Sequence, residues 1–310
     1  MKAIDTITVN PTIDVAYELD RLVPVRKLRA SAARHDPGGG GLNVARVFVR
    51  LGGNARCHYM AGGASGEALD ALLDLHQLVV AKTAIAAETR LSTTVFERAT
   101  GQEYRIVAPG PDIADTEWRA FLDRLEQTES AYIVASGSLA RGLPDDFYAR
   151  IARIAHKKGA RFVLDSSGRG LLGGLSEGGV YLVKPNLEEL RDLAGSPLHA
   201  EEDIAQAARE IVARGDAHHL AVTMGEQGAM LVNGHGVYRM LALPVETVST
   251  VGAGDSFVAA MVHALADGRD LREAFRFGAA AGAAAVSTPG TDLARAEDIA
   301  RIFRAIPASA

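Results

Sequence analysis

Short apolar segments alternate with amphipathic segments along most of the chain after residue 131. AYIVAS, RFVLDS, VYLV and HLAV have the length and the apolar content of buried strands. Between them, segments such as DDFYARIARIAHKKG and EEDIAQAAREIVARG repeat apolar residues every three or four positions, as a helix with one buried face does. This alternation predicts βαβ units and an α/β fold with a doubly wound, mostly parallel sheet flanked by helices.

Two earlier segments break this rhythm. Residues 14–34 and 89–108 resemble extended strands that carry many polar side chains, and ERATGQE has the composition of a turn between two of them. Such strands could form an antiparallel edge of the main sheet or a small separate sheet. Because the two segments are similar in length and character, we favour a small sheet that projects from the body. We find no internal repeat or linker in the sequence and expect one domain over residues 1–310.

Composition and charge narrow the class of protein. The chain has 310 residues, of which 48% are hydrophobic and 23% are charged, as in globular proteins. A formal net charge of −5 argues against a general nucleic-acid or membrane-surface binder, since both need concentrated positive charge. MKAIDTITVN is typical of a strand rather than a signal peptide, and the single cysteine, Cys57, cannot form an internal disulfide. We therefore expect a cytoplasmic protein.

Polar residues follow five of the predicted strands. They are Asn10 with Asp14, Gly137-Ser138, Asp165-Ser166-Ser167, Lys184-Pro185-Asn186 and Thr223-Met224-Gly225. In a doubly wound sheet, ligands bind beyond the carboxyl ends of the strands. Each of these transitions is ordinary by itself, but together they predict a site for a polar ligand along one edge of the sheet.

Two glycine-rich segments lead into predicted helices. DPGGGGLNVARVFVRLGG places Gly38–Gly41 directly before an amphipathic helix, with Asn43 in its first turn. In TVGAGDSFVAAMVHALADG, glycines stand on either side of Ala253 and Asp255 follows them. Glycine lets a ligand approach the backbone, and the free N–H groups at a helix start attract anions. Asp255 can also be an ordinary N-cap residue, and these residues alone do not separate the two interpretations.

Both segments resemble the signature regions of the ribokinase-like sugar kinases of the pfkB type. NPTID, AGGASGE, SGSLARGLP, DSSG, KPNLEEL and TMGEQGA match further segments of that family in the same order, so the resemblance covers nearly the whole chain. It is strongest with kinases of phosphorylated hexoses. Many members carry a lysine where this chain has Gly40, and glycine at this place is shared with the minor bacterial type of 6-phosphofructokinase. A dinucleotide-binding oxidoreductase is excluded, because no GxGxxG follows the first strand.

The resemblance implies ATP-dependent phosphorylation of fructose 6-phosphate at its C1 hydroxyl. The backbone of Gly252, Ala253 and Gly254 would form an anion hole for the migrating phosphoryl group, and Asp255 would be the general base. The nearest alternatives are kinases of fructose 1-phosphate or tagatose 6-phosphate. A non-catalytic sugar-phosphate-binding protein is a more distant alternative, which would be expected to lack Asp255 or its glycines.

The resemblance also implies the residues of the ATP site. They are Lys184, Asn186, Thr223, Gly225, Gly228, Ala279 and Ala283. Asn186 and Glu189 would organise Mg²⁺, mainly through water. A K⁺ site would lie between residues 286–294 and Ser249 and Val251. Potassium dependence stays open, because Thr288 and Asp292 depart from the family's pattern in that loop.

On the acceptor side, the resemblance implies that Asp14, Gly39 and Asn43 hold sugar hydroxyls. Cations of the two early segments would hold the substrate phosphate, with Ser138 helping. The leading ones are Lys27 and Arg90, and the others are Arg29 and Arg105. In the family the projecting sheet covers the sugar and often joins two copies, so we expect a homodimer through this sheet.

Overall fold

The computed structural model describes residues 3–288 and 292–307. The strands of this part of the chain are β1 Ile4–Thr8, β2 Thr12–Leu19, β3 Ala32–Gly38, β4 Ala55–Ala61, β5 Val79–Ala84, β6 Arg90–Glu97, β7 Gln102–Val107, β8 Tyr132–Ser136, β9 Arg161–Asp165, β10 Val180–Val183, β11 Ala217–Thr223, β12 Ala229–Asn233 and β13 Gly236–Met240. The helices are α1 Gly40–Arg50, α2 Gly63–Asp74, α3 Asp115–Leu125, α4 Phe147–Lys157, α5 Gly168–Leu175, α6 Leu187–Ala194, α7 Glu201–Ala213, α8 Ala253–Ala266, α9 Leu271–Val286 and α10 Ala296–Ala305.

Nine strands form the main sheet, in the order β13-β12-β11-β10-β9-β8-β1-β4-β5. Neighbours from β11 to β5 are parallel, and β12 and β13 are antiparallel at one edge. The helical connections explain this arrangement, because a parallel neighbour can be reached only by a crossover. The predicted α/β fold with a mostly parallel sheet is confirmed.

The early polar segments form a second sheet, which we call the small sheet, in the order β3-β2-β6-β7. β2 pairs antiparallel with β3 and parallel with β6, and β6 pairs antiparallel with β7. The prediction of a separate sheet is confirmed, and ERATGQE joins β6 to β7. The predicted segment 14–34 contains parts of two strands, β2 and β3, and residues 20–31 between them are irregular; Pro24 in that stretch cannot donate a ladder hydrogen bond.

Helix α8 is buried from Ser256 to Ala266, which fits a helix that is alanine-rich and apolar on all sides. It packs against α1 and α9 in the hydrophobic cluster that contains Phe48, Phe257 and Phe275. The start of α8 is therefore held in place by the core. The described helices include none that is both long and apolar enough to cross a membrane. The expectation of one domain over residues 1–310 stays a prediction.

Candidate active site

Asp255 lies in the first turn of α8 but does not cap the helix. The N-cap residue is Gly252, in the left-handed region at φ 72°, and no side chain among the described residues caps this helix start. The carboxylate of Asp255 accepts hydrogen bonds from Nδ2 of Asn43 at 2.9 Å and from Oγ of Ser136 at 3.2 Å. The N-cap interpretation is thus wrong: the helix begins at Ala253, and the carboxylate turns away from its free amides towards side chains of distant segments.

Free backbone donors and a buried cation meet at the same helix start. The N–H of Ser256 bonds to the carbonyl of Gly252 at 2.9 Å, so the amides of residues 253–255 precede the first hydrogen-bonded turn. A Cβ placed on Gly254 would lie 3.3 Å from Nζ of Lys184. Glycine therefore keeps the ammonium close to the helix start, and the two together can hold an anion.

Lys184 is held in place by a carboxylate. Its Nζ lies 3.0 Å from Oδ1 of Asp165, and Lys184 is only 5% exposed. Burial acts to lower the pKa of the Lys184 ammonium, but the charge and hydrogen bond of Asp165 outweigh it, and the pKa is raised. The other oxygen of Asp165 lies 3.3 Å from Oγ of Ser136, which links Asp165 to Asp255. We call Asn43, Ser136, Asp165, Lys184 and Asp255 the Asp255 cluster.

The environment of Asp255 suits a general base. Burial raises its pKa to about 6, and repulsion from Asp165 adds to this effect. The hydrogen bond from Asn43, the charge of Lys184 and the hydrogen bond from Ser136 act in the opposite direction. A carboxylate with a pKa near 6 is ionised at neutral pH, and it is a stronger base than an ordinary one.

The glycines of the first signature bring α1 against Ser136. Helix α1 begins at Gly40, inside the glycine run rather than after it, which corrects the expected boundary. A Cβ on Gly40 would lie 2.2 Å from Oγ of Ser136, so only glycine fits there while Ser136 contacts both carboxylates. Gly39 precedes the helix at φ 116°, a conformation that favours glycine.

Asn43 lies at the predicted place, and its amide already has partners within the protein. Nδ2 donates to Asp255, and Oδ1 accepts from Nη1 of Arg46 at 3.3 Å. In this structure the side chain therefore contacts the candidate base directly. A role of Asn43 and Gly39 in holding sugar hydroxyls stays a prediction.

Three of the predicted acceptor residues share one face of the small sheet. On β6, Arg90, Ser92 and Thr94 lie on one face, because every second side chain of a strand points to the same side. Asp14 of β2 pairs with Ser92, and Arg105 of β7 pairs with Thr94, so both share this face with Arg90. Burial raises the pKa of Asp14 to about 6, although the charges of Arg105 and Arg90 act to lower it. A carboxylate between two arginines can bind hydroxyls while the arginines bind a phosphate.

Asn10 connects Arg90 to Ser138. Nη2 of Arg90 donates to the carbonyl of Asn10 at 3.0 Å, and Nδ2 of Asn10 donates to Oγ of Ser138 at 3.1 Å. Lys27 and Arg29 lie exposed in the irregular segment, and neither has a hydrogen bond or ion pair with the described part of the chain. The structure thus brings Arg90 and Ser138 together but does not bring Lys27 and Arg29 to them.

The predicted nucleotide residues lie at neighbouring strand ends and on α9. The N–H of Thr223 donates to the carbonyl of Pro185 at 3.1 Å, so the ends of β10 and β11 adjoin. Gly225 and Gly228 form the turn between β11 and β12. Ala279 and Ala283 are partly exposed on α9, where a Cβ on Gly282 would lie 3.6 Å from the carbonyl of Ala253. The part of α9 that contains Ala279 and Ala283 therefore borders the start of α8.

Asn186 and Glu189 form a capping box at the start of α6. Oδ1 of Asn186 accepts from the N–H of Glu189 at 2.8 Å, and Oε2 of Glu189 accepts from the N–H of Asn186 at 2.7 Å. Among the described residues, no cluster of three or more His, Cys, Asp or Glu side chains could hold a metal ion. The single carboxylate fits Mg²⁺, which keeps much of its water and binds nucleotide phosphates.

The predicted K⁺ site lies where the segment before α8 meets the end of α9. The amides of Val248 and Ser249 both donate to the carbonyl of Val286, at 2.7 and 3.2 Å, and the N–H of Val251 bonds to Oγ of Ser249 at 3.3 Å. The hydroxyl of Thr288 lies within hydrogen-bond distance of the carbonyls of Ala285 and Asp292. Residues 289–291 of the predicted loop lie outside the described residues, and the K⁺ site stays a prediction.

Sequence reasoning did not assign site roles to Ser136, Asp165 and Arg46. The sequence indicates Asp165 as a polar residue at a strand end and as part of the DSSG segment, without a role in the site, and indicates Ser136 as the end of a buried strand. Arg46 was read as part of an amphipathic helix. The contacts of Ser136 and Asp165 join residues from distant parts of the chain, so no local pattern could have shown them. Arg46 contacts residues nearby in sequence, and its spacing of three positions from Asn43 on one helix was the signal that could have found it.

The chain has curated relatives among the bacterial phosphofructokinases. The chain is 42% identical over 300 residues to the ATP-dependent 6-phosphofructokinase isozyme 2 of Mycobacterium tuberculosis, covering 96% of this chain and 88% of the relative. It is 40% identical over 304 residues to the enzyme of the same name from Escherichia coli, covering 98% of both. A 1-phosphofructokinase of Bacillus subtilis is 33% identical over 280 residues, covering 90% of this chain and 91% of the relative.

Solved structures agree with these relatives in fold. Phosphofructokinase-2 from Escherichia coli in complex with potassium matches with a TM-score of 0.94 at 39% identity, covering 98% of this chain and 99% of that one. Its complex with fructose-6-phosphate matches with a TM-score of 0.92 at 38% identity and the same coverage. The model of the pfkB family carbohydrate kinases matches residues 4–298. The chain therefore belongs to the pfkB family of carbohydrate kinases.

Proposed function

We propose that this protein is an ATP-dependent 6-phosphofructokinase, which converts fructose 6-phosphate into fructose 1,6-bisphosphate. One observation carries the proposal: the Asp255 carboxylate lies in the same helical turn as free backbone amides and near the ammonium of Lys184. A base beside an anion site suits phosphoryl transfer to a hydroxyl, which needs alignment and charge stabilisation. The similarity to 6-phosphofructokinases of two bacteria supports the choice of sugar.

In the proposed reaction, Asp255 accepts the proton of the C1 hydroxyl. The hydroxyl oxygen forms a bond to the γ-phosphorus of ATP while the bond from that phosphorus to the bridging oxygen breaks, and ADP leaves. The amides of residues 253–255 and the ammonium of Lys184 stabilise the charge of the transferring group. Asp255 then releases the proton to solvent, which its pKa of about 6 permits at neutral pH.

The other end of the sugar phosphate would lie against the small sheet. Arg90 is the leading phosphate ligand, because arginine can donate two parallel hydrogen bonds to a phosphate and Ser138 is connected to it through Asn10. Asp14, on the same face of the sheet as Arg90, would accept hydrogen bonds from sugar hydroxyls. Lys27, with Arg29 and Arg105, would complete the phosphate site when the sheet closes over the sugar.

ATP would be held by Lys184, Asn186, the turn that contains Gly225 and Gly228, and the small residues of α9. When bound with ATP, Mg²⁺ would neutralise phosphate charge. Asn186 and Glu189 would hold the water around that ion, in keeping with a capping box that uses one of the two carboxylate oxygens of Glu189. A K⁺ ion between Ser249, Val251 and the end of α9 is part of this proposal.

We further propose that two copies associate through the small sheet. Tyr17, Leu91, Tyr104 and Ile106 lie on the face opposite Asp14, and Ile106 is 64% exposed. Contiguous exposed apolar side chains are typical of an interface. Sedimentation velocity should show a dimer for the wild type and a monomer for Ile106→Asp. Leu75→Asp, at an exposed leucine at the end of α2, should leave the dimer intact. Equal sedimentation of Ile106→Asp and wild type would contradict this interface.

The substrate assignment is tested with purified protein, Mg-ATP and a coupled ADP-release assay. We expect clear preference for fructose 6-phosphate over fructose 1-phosphate, tagatose 6-phosphate, fructose and ribose. Higher kcat/KM with fructose 1-phosphate would assign the protein to the 1-phosphofructokinases, which it also resembles. Activity only with free sugars would contradict the role of Arg90 as well.

A further inference from the structure

Arg46 is a buried cation with no part in the reaction proposed above. It lies on α1, one turn after Asn43, and is only 3% exposed. Nη1 donates to the carbonyl of Pro37 at 3.0 Å and to Oδ1 of Asn43 at 3.3 Å, and Nη2 lies 3.7 Å from Oδ1 of Asp36. Within the described residues, its Nε and Nη2 have no hydrogen-bond partner. A buried guanidinium that is not fully hydrogen-bonded costs stability.

The contact with Arg46 decides which way the Asn43 amide faces. A side-chain amide has one accepting end and one donating end, and arginine can only donate. Oδ1 of Asn43 must therefore face Arg46, and Nδ2 must face Asp255, where it lies 2.9 Å from Oδ2. The buried cation thus directs a donor at the candidate base.

The second donor to Asp255 is less well defined. The hydroxyl of Ser136 has one hydrogen, and its Oγ lies 3.2 Å from Asp255 and 3.3 Å from Asp165, so two carboxylates compete for it. After Asp255 has taken a proton, it could donate to an amide that has turned over. Arg46 opposes that rotation in both protonation states of the base, since the turned amide would point its NH₂ group at a cation.

Arg46 keeps its charge at neutral pH. Burial, and then the nearby charge of Arg50, lower its pKa to about 10, and Arg34 acts in the same direction while Asp36 and Asp292 oppose them. Asp36 is itself held by Arg34, whose Nε lies 2.6 Å from Oδ2. At neutral pH the guanidinium is therefore a cation while Asp255 is ionised.

We propose that Arg46 is a positioning residue for the reaction: anchored on Asp36 and the Pro37 carbonyl, it fixes the Asn43 amide so that its NH₂ group faces the Asp255 carboxylate. This inference rests on the proposed role of Asp255 as the base. Arg46 touches neither the sugar nor the nucleotide in this scheme, so its removal should lower turnover while binding of ATP is unchanged.

A double-mutant cycle on the full-length enzyme tests the inference. Arg46→Met, Asn43→Ala and the double variant are assayed with Mg-ATP and fructose 6-phosphate over a range of pH. We expect kcat of Arg46→Met to fall by about 10²-fold with little change in KM for ATP, as for a misplaced catalytic group. The double variant should be no slower than Asn43→Ala, because Arg46 acts through Asn43. In both single variants the acid limb of the kcat profile should move to higher pH, since Asp255 loses its fixed donor.

Control variants separate this role from a structural one. Arg46→Lys retains the charge and should recover part of the lost kcat. Arg276→Met removes a half-buried arginine of α9 that donates to the carbonyls of Ile306 and Pro307, and should retain wild-type kcat. If Arg46→Met does not fold, as judged by its thermal melt, the cycle is run with Arg46→Lys and Asn43→Ala.

Two results would overturn the inference. One is wild-type kcat in Arg46→Met, and the other is losses that multiply in the double variant, which would show that Arg46 acts independently of Asn43. Failure of the proposed function looks different, because the wild type would then be inactive with fructose 6-phosphate. The cycle would in that case be run with the hexose phosphate that the wild type does use.

Discussion

The first turn of α8 and the small sheet form the two ends of the proposed site. The two regions differ greatly in burial and in the number of contacts that fix their side chains. Asp255 lies in the first turn of α8, a helix that is buried from Ser256 onward. Its carboxylate contacts Asn43 and Ser136. Every residue of β7 in the small sheet is exposed. The reaction end is thus organised before substrate arrives, whereas the exposed cations of the phosphate end, Lys27, Arg29 and Arg105, are left to be organised by the substrate or by a second copy.

The difference follows from what each end must do. A general base is effective when its hydrogen bonds are in place at the moment of reaction, and the core supplies that order in advance. A surface that closes over a sugar must first let it in, so it cannot be packed into the core. Each prediction below changes one end and compares it with the other, from the largest expected effect to the smallest.

Asp255→Asn should have the largest effect on turnover. Loss of a positioned general base reduces kcat by roughly 10²–10⁴-fold, and KM for ATP should change little because the backbone amides remain. Steady-state kinetics at saturating substrate measures it. Asp267→Asn, at the exposed end of the same helix, is the matched control and should behave as wild type. Near-normal turnover of Asp255→Asn would show that the preorganised end is not the reaction centre.

Arg90→Ala should weaken the acceptor end alone. A hydrogen bond to a charged group contributes about 1.5–3 kcal/mol, so kcat/KM for fructose 6-phosphate should fall roughly 10- to 100-fold. KM for ATP should stay near the wild-type value. The control is Arg98→Ala, an arginine in the turn of the same sheet that pairs with Glu18 at 3.5 Å. Equal losses for both substrates would mean that Arg90 does not distinguish the two ends.

The buried Asp255 carboxylate should lower the free energy of unfolding at neutral pH. The pKa of Asp255 is raised to about 6. Between about pH 4 and 6, the folded chain therefore binds more protons than the unfolded chain. The contribution of this group to stability falls as pH rises through that window. Above pH 7, the free energy of unfolding of Asp255→Asn should exceed that of wild type by about 1–3 kcal/mol. The gap should close near pH 4 in denaturant titrations. A gap that is absent or reversed at pH 7 would contradict the raised pKa.

Lys27→Ala should have the smallest effect. Lys27 is exposed and has no ion pair with the described residues, and exposed ion pairs contribute about 0.2–1 kcal/mol, so kcat/KM for fructose 6-phosphate should fall at most about 5-fold. Kinetics at low ionic strength gives the clearest measurement. A loss as large as that of Arg90→Ala would show that the phosphate end becomes as well ordered as the Asp255 cluster once substrate binds.

Periodicity determined most of the fold. The uniformly apolar segments after residue 131 became the strands of the main sheet, and the polar residues at their ends came to lie on one edge, because parallel strands end on the same side. The glycine signatures also marked the two helix starts that meet at the site. These features depend on local pattern, which a sequence displays directly.

Tertiary structure alone decided what surrounds the candidate base. Asp255 is 212 positions from Asn43 and 119 from Ser136, and no local rule relates residues so far apart. Whether Asp255 capped its helix depended on the residue at which α8 begins, and the left-handed Gly252 places that start three positions earlier than a capping aspartate would need. The sequence specified the polar residues of the site and the edge of the main sheet on which they lie. The packing of α1 against α8 and β8 set their distances, and those distances turn an acidic residue at a helix start into a candidate base.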